Sequence, residues 1–280
     1  YVLLALGSLV MIIPFLDMIF SSFKSPAEYA SLKYSLFPES LQLENYKIAF
    51  EQLKMTMLFK NSLIRSFSIT FLVLITSSLG GYVLAKLKFK GREVIFRFIL
   101  ATMMFPVFMF FIPNYYIAIH FPLIGGNDIL GQGGHGGLAA SQLGLILPFA
   151  VSGFGIFLMR QFMINIEDAY IEAARIDGAG ELRIFLQIVT PMCKPALATL
   201  AIIEFINSWN EFIWALLMSN VNPDLATLPV GIQSLQSHLD KSLTQPLVMA
   251  GLVIATVPIM IVFVSLQKYY VQGMMNAGLK

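Results

Sequence analysis

The chain has 280 residues, of which 57% are hydrophobic and 12% charged, with a formal net charge of +2 and a mean hydropathy of +0.76. Soluble domains carry about 25% charged residues, so this composition excludes an ordinary water-soluble domain and predicts an all-α membrane protein with no nucleic-acid partner. A single cysteine, Cys193, excludes an internal disulfide, and His120, His135 and His238 are scattered without ligand spacing, so no metal site is expected.

Charge-free runs from Ser66 to Ala85, Phe98 to Ile119, Leu138 to Met159 and Ser242 to Gln267 each approach or exceed the roughly 20 helical residues that cross a hydrocarbon core. Two further runs are long and apolar although they carry acids: Tyr1 to Phe23 with Asp17, and Pro195 to Met218 with Glu204 and Glu211. The reading is one domain over 1–280 with six spans, near 1–23, 61–87, 94–119, 138–163, 195–218 and 245–271, and a polar segment at 164–194. Tyr1 already lies inside an apolar run, so the natural amino terminus is expected to precede it.

Charge placement orients the spans. Lys86, Lys88, Lys90, Arg92 and Arg97 crowd the short link between the second and third spans, and such links stay cytoplasmic. The same side then receives 160–194 and the tail with Lys268 and Lys280. Outside, the first loop mixes lysines with Glu28, Glu39, Glu44 and Glu51. A glycine-rich stretch at 121–137 is costly to order and is expected to be mobile unless something binds it. The outer loop at 219–245 has breakers Pro223, Pro229 and Gly231 but also Leu225, Leu228, Val230, Ile232 and Leu235, so it is expected to pack.

The cytoplasmic island reads as a helix-turn-helix. Asn165 is the expected cap, Glu167 and Asp168 place acid at the positive helix end, and Ala169, Ala173 and Ile176, with Tyr170 and Ala174 beside them, form a small-residue face. Gly178 and Gly180 suit the turn, and Glu181 to Val189 a second helix stopped before Pro191. By spacing alone the first helix suits either a groove on another protein or the lipid surface.

Glu172-Ala173-Ala174 with Gly178, Ile188 and Pro191 resembles the EAA signature of permeases of ATP-binding-cassette importers, with Thr190 where leucine is usual. FKGR at 89–92, FLMRQF at 157–162, TPMCKPAL at 190–197, SWNEFIWAL at 208–216 and the terminal QGMMNAGLK are similar to the smaller permease of maltose-type sugar importers. The resemblance covers nearly the whole chain, except for the glycine-rich insertion at 125–137. It implies a type I importer permease fold, multi-pass in the bacterial cytoplasmic (inner) membrane, and a coupling helix seated on an ATPase. Glu172, Ala173, Ala174, Arg175, Asp177 and Gly178 would form that coupling surface. The implied partners are a second homologous permease, an ATP-binding-cassette ATPase dimer that holds the ATP and Mg, an extracytoplasmic solute-binding protein and a sugar. The chain contains no GxxxxGK[ST] phosphate loop, so no cofactor and no enzymatic activity of its own are expected.

In the fifth span Glu204, Asn207, Ser208, Asn210 and Glu211 recur at helical spacings, with Trp214 at the edge. Ionisable groups inside a span face protein or water rather than lipid. Asn207, Asn210, Glu211 and Trp214 are therefore the candidate substrate path, since amides and carboxylates bond hydroxyls and an indole covers a sugar face. The same residues equally suit helix-to-helix bonding. The alternative function is an ion-coupled secondary transporter using Glu204 and Glu211, although no inverted repeat supports it.

Overall fold

The computed structural model describes residues 1–31, 33–52, 54–238 and 241–278, and every regular element among them is helical. In chain order these are α1 (Val2–Ser21), α2 (Pro26–Ala30), α3 (Glu44–Gln52), α4 (Met55–Lys86), α5 (Arg92–Thr102), α6 (Phe111–Ile119), α7 (Gln142–Ile146) and α8 (Gly153–Ile164). After them come α9 (Asp168–Ile176), α10 (Glu181–Ile184), α11 (Thr190–Met192), α12 (Lys194–Asn210), α13 (Ile213–Val221), α14 (Leu228–His238) and α15 (Lys241–Gly278). Lys280, assigned to the basic tail, lies outside the described residues, and the side chains of 269–278 are likewise not described.

Three helices are long and apolar enough to cross a bilayer, Val2–Ser21, Met55–Lys86 and Gln245–Lys268. Three helix pairs pass the same test but are bent, by 93° between α5 and Val107–Ile119, by 45° before α8 and by 79° before α12, which makes up to six spans if each pair counts as one. The charge-free run from Phe98 to Ile119 is thus not one straight helix. Pro106 takes an extended conformation with ψ 130; proline lacks the amide a continuing helix needs and disfavours helical geometry at the residue before it. At the second break Ser152 is extended, and its hydroxyl accepts the Gly155 amide at 3.1 Å, restarting the helix.

The chain divides into two compact units. The first comprises Tyr1–Leu63 and Glu211–Met260. In it α1 is exposed along nearly its whole length, with Leu3 at 85% and Met11 at 75%, an apolar surface suited to lipid. Asn61 donates to the carbonyls of Asp224 (2.7 Å) and Ala226 (2.8 Å), and the Ser62 hydroxyl accepts the Leu228 amide at 2.8 Å. These bonds fold the segment after α13 onto α4. Leu225, Leu228, Val230, Ile232 and Leu235 are all buried, so its apolar residues are committed inside the unit.

The second unit comprises Ile64–Asn210 and the chain from Ile261 onward. Here α4 crosses α8 at small residues. Ser77 lies directly under Gly155, and a Cβ on Gly81 would stand 2.7 Å from Met159 Cβ and 2.9 Å from the Arg160 amide. Small residues four apart let helix backbones approach in lipid, where packing rather than the hydrophobic effect joins helices. Arg65, 1% exposed, donates to the Ser208 carbonyl and lies 5.3 Å from the Phe149 ring, so α4, α12 and the α7–α8 turn share one buried cation.

The glycine-rich segment is folded rather than slack. Asn127 donates to Ile119 O (2.8 Å) and Phe121 O (3.0 Å) and accepts from the Gly134 amide, while the Asp128 carboxylate accepts from the Leu130 and Gln132 amides, both at 2.8 Å. Gly125, at φ +64, sits so close to the Gly137 backbone that any side chain there would collide at 2.8 Å. Composition signalled the entropy cost; the two side chains that offset it became visible only in the fold.

Candidate functional site

The polar island forms a hairpin fastened to α4. Asn165 does not cap α9 as the sequence predicts: it ends α8, donating to Gln161 O at 2.8 Å, and Glu167 stands at the N-cap without a side-chain cap bond. The entry to α9 is held instead by Lys86, the last residue of α4. Its ammonium, with a side chain only 4% exposed, donates to Ile166 O at 2.5 Å and to the Asp168 carboxylate at 2.7 Å. The Lys86 ammonium beside it holds the Asp168 carboxyl below the usual carboxylate range.

The far end of α9 closes in a Schellman motif. The Ala179 amide reaches Ala174 O at 2.9 Å, the Gly178 amide reaches Arg175 O at 3.0 Å, and Gly178 supplies the left-handed residue at φ +80. Arg175 then donates to Glu181 at 2.8 Å, and the Tyr82 hydroxyl of α4 donates to the other oxygen of the same carboxylate at 2.6 Å. The Arg175 guanidinium first, and the Tyr82 hydroxyl second, keep Glu181 below the ordinary carboxylate range. Two points one helical turn apart on α4, Tyr82 and Lys86, thus grip opposite ends of the hairpin.

The second helix does not stop before Pro191. After α10 the chain takes a π turn over Phe185–Val189 and continues through Pro191, breaking at Cys193 with the 79° bend. A π turn shifts the hydrogen-bond register, which lets a helix accommodate a residue without an amide.

The two faces of α9 differ from the expected pattern. Ile171 (2%) and Ala174 (8%) are buried, whereas the sequence placed Ala174 beside the small-residue face. Ala169, Tyr170, Glu172, Ala173, Arg175, Ile176, Asp177 and Gly178 are exposed. Ile176 is 86% exposed, an apolar side chain on a charged surface that its position in the island already marked. Nothing lies within 4 Å of a Cβ built on Gly178, so that corner of the hairpin is open.

The helix expected through Glu204 and Trp214 ends at Asn210. Asn207 and Asn210 are exposed on α12, while Ser208 and Trp209 are buried and Phe205 stacks on Trp209 at 5.7 Å. In the first unit, the Glu211 carboxylate accepts the amides of Trp214 (2.6 Å) and Ala215 (3.3 Å), capping α13. Trp214 is fully buried, so its indole offers no face to a passing solute in this conformation. Asn210 and Trp214 therefore lie on different helices, and the regular spacing read from the sequence does not run through them. Glu204 hydrogen-bonds Ser152 in the second unit. Sequence reasoning missed Tyr82, Lys86 and Glu181; Lys86 was counted only as a topological charge.

The family of binding-protein-dependent transport system inner membrane components matches residues 53–276. The arabinooligosaccharides transport system permease protein AraQ of Bacillus subtilis is 32% identical over 276 residues, covering 98% of this chain and 92% of that one. The diacetylchitobiose uptake system permease protein NgcG of Streptomyces coelicolor is 31% identical, over 96% of this chain and 84% of that one. A chain in the crystal structure of a bacterial ABC transporter involved in the import of the acidic polysaccharide alginate shares the fold, with a TM-score of 0.77, 24% identity and coverage of 96% and 94%. The all-helical architecture is that of an ABC importer permease. This chain belongs to the binding-protein-dependent inner membrane permeases, a transport subunit that leaves ATP hydrolysis to a separate nucleotide-binding chain. Nothing in the site favours the ion-coupled alternative, since Glu211 is engaged by the backbone of α13.

Proposed function

We propose that the chain forms half of the translocation pore of an ATP-driven importer of sugars or oligosaccharides, in six spans across the bacterial cytoplasmic membrane. Its partners are a second homologous permease, an ATPase dimer that binds ATP and Mg, and an extracytoplasmic solute-binding protein. The carbohydrates named for the arabinooligosaccharide and diacetylchitobiose relatives support the substrate class. The observation that carries the reading is the hairpin: its inner face is fastened to α4, while Glu172, Ala173, Ile176, Asp177 and Gly178 remain exposed. An element held on one side and bare on the other fits a helix that receives force from an ATPase. Arg175 has a structural role in this scheme, holding Glu181.

Glu172→Lys is expected to leave membrane insertion intact while lowering ATPase copurification and uptake about tenfold or more, the effect of losing roughly 1.4 kcal/mol at the interface. Gly178→Leu separates docking from folding. The space around Gly178 is open, so the fold bears only the roughly 1–2 kcal/mol of a left-handed non-glycine residue, which Gly178→Ala bears equally. Uptake should fall much further in Gly178→Leu than in Gly178→Ala. Normal uptake in both Glu172→Lys and Gly178→Leu would remove the coupling role.

For the substrate path we assign contact with sugar hydroxyls to Asn207 and Asn210, and support of the helix break to Glu211 and Trp214. Asn207→Ala and Asn210→Ala are each expected to raise the KM for uptake roughly fivefold per lost hydrogen bond of about 1 kcal/mol, with ATPase assembly unchanged. Unaltered KM in both variants, measured in proteoliposomes, would exclude them from the path.

A further inference from the structure

The link between α4 and α5 carries a basic surface of which only Lys86 is bonded to the hairpin among the described residues. Residues 86–97 contain Lys86, Lys88, Lys90, Arg92 and Arg97 against one acid, Glu93. Glu93 is already engaged: buried Arg160 donates to it at 2.8 Å, with Arg92 at 3.4 Å from the same oxygen. Arg160 also donates to Leu84 O at 3.1 Å and lies 3.8 Å from the Phe96 ring centroid, which anchors the start of α5 to α8. Lys86 is engaged with α9. Lys88, Lys90 and Arg97 are exposed, and the Arg92 side chain is 30% exposed.

These cations stand beside apolar side chains that are left partly uncovered. Phe89 is 40% exposed, Val94 64%, Ile95 48% and Phe98 72%. Lys88, Phe89, Gly91, Arg92, Glu93 and Val94 line an open cavity of about 440 Å³. The link follows the end of the apolar helix α4, and its basic residues assign it to the cytoplasmic side on the reading proposed above, which would set the hollow at the headgroup level. A ligand for it must be anionic at one end and apolar at the other.

We infer that this hollow binds an anionic phospholipid of the cytoplasmic leaflet, its phosphate between Lys88 and Arg92 and its chains along Phe89 and Val94. Charge complementarity selects the lipid over zwitterionic neighbours, and Lys90 and Arg97 add attraction at longer range. Arg160 shares the Glu93 carboxylate with Arg92 and offsets the one acid in the link, so the hollow keeps a net positive charge.

The test uses the full chain with its copurifying subunits, carrying Phe89→Trp as a reporter, in phosphatidylcholine vesicles. Bromine-labelled phosphatidylglycerol or bromine-labelled phosphatidylcholine is added as a minor component, and quenching is compared with that of the parent, whose tryptophans give the background. Quenching by the anionic lipid should prevail several-fold, and Lys88→Gln or Arg92→Gln should each reduce the preference about fivefold, the effect of one cation near the surface. Lys88→Arg and Lys47→Gln should leave it unchanged. Equal quenching by both lipids, or a preference that survives Lys88→Gln with Arg92→Gln, overturns the inference. So does full displacement by inorganic phosphate, which would assign the site to a soluble anion, or loss of ATPase copurification in these variants with the lipid preference intact.

Discussion

Lys86→Met is expected to break energy coupling: ATP hydrolysis should continue in the assembled importer while uptake falls at least tenfold. The Lys86 ammonium is nearly buried and is the donor seen for Ile166 O, the carbonyl just ahead of α9. A hydrogen bond to a charged group contributes about 1.5–3 kcal/mol, and its loss also strands a carbonyl beside the helix start. The ion pair with Asp168 adds less, because that carboxylate is 65% exposed and screened by water. Asp168→Asn should therefore be much milder than Lys86→Met. Methionine keeps the length of the side chain, so a defect in membrane insertion is not expected. Parallel ATPase and uptake assays in proteoliposomes decide it. Uptake and hydrolysis falling together, or neither falling, would mean that Lys86 does not transmit motion between α9 and α4.

Gly81→Ala should destabilise the second unit by about 1–3 kcal/mol, although it adds one methyl group. That methyl would meet Met159 Cβ at 2.7 Å and the Arg160 amide at 2.9 Å, and neither can swing away as a side-chain tip can. Separating α4 from α8 also draws Arg160 from Leu84 O, so the buried guanidinium loses a partner. The adjacent Gly80→Ala is the control. Its methyl would meet only Ile156 side-chain atoms, nearest at 3.3 Å, which can yield by a few tenths of an ångström. A lower thermal midpoint in lipid nanodiscs for Gly81→Ala, with Gly80→Ala near the parent, is the expected result. Equal midpoints would show that the helices are free to separate at this crossing.

Much of the site was legible before the fold. Gly178 was expected at the turn of the hairpin and is the left-handed corner of a Schellman motif, because few residues other than glycine tolerate that geometry and the adjoining apolar spacing marks the end of α9. The exposed Glu172 and Ala173 were equally readable, since a polar run between apolar spans has no bilayer to enter. Asn165 misled because the local cap preference competes with the end of the preceding helix, and there α8 claims it. The single helix expected through Glu211 is two helices, because the periodicity carries no mark of the break after Asn210.

Composition and motif spacing by themselves determined a helical, multi-pass transport subunit with a polar hairpin between apolar helices, because hydrophobic length is a local property of the chain. Only the tertiary structure decided what holds that hairpin. The bonds from Tyr82 to Glu181, 99 positions apart, and from Lys86 to Ile166, 80 apart, are set by how α4 packs beside α8, and no local pattern records them. The same holds for Ala174 turning inward and Asn207 remaining outward. Which face of a short helix is covered depends on the neighbour it meets, and in lipid that neighbour is selected by close packing at residues such as Gly81 and Gly155.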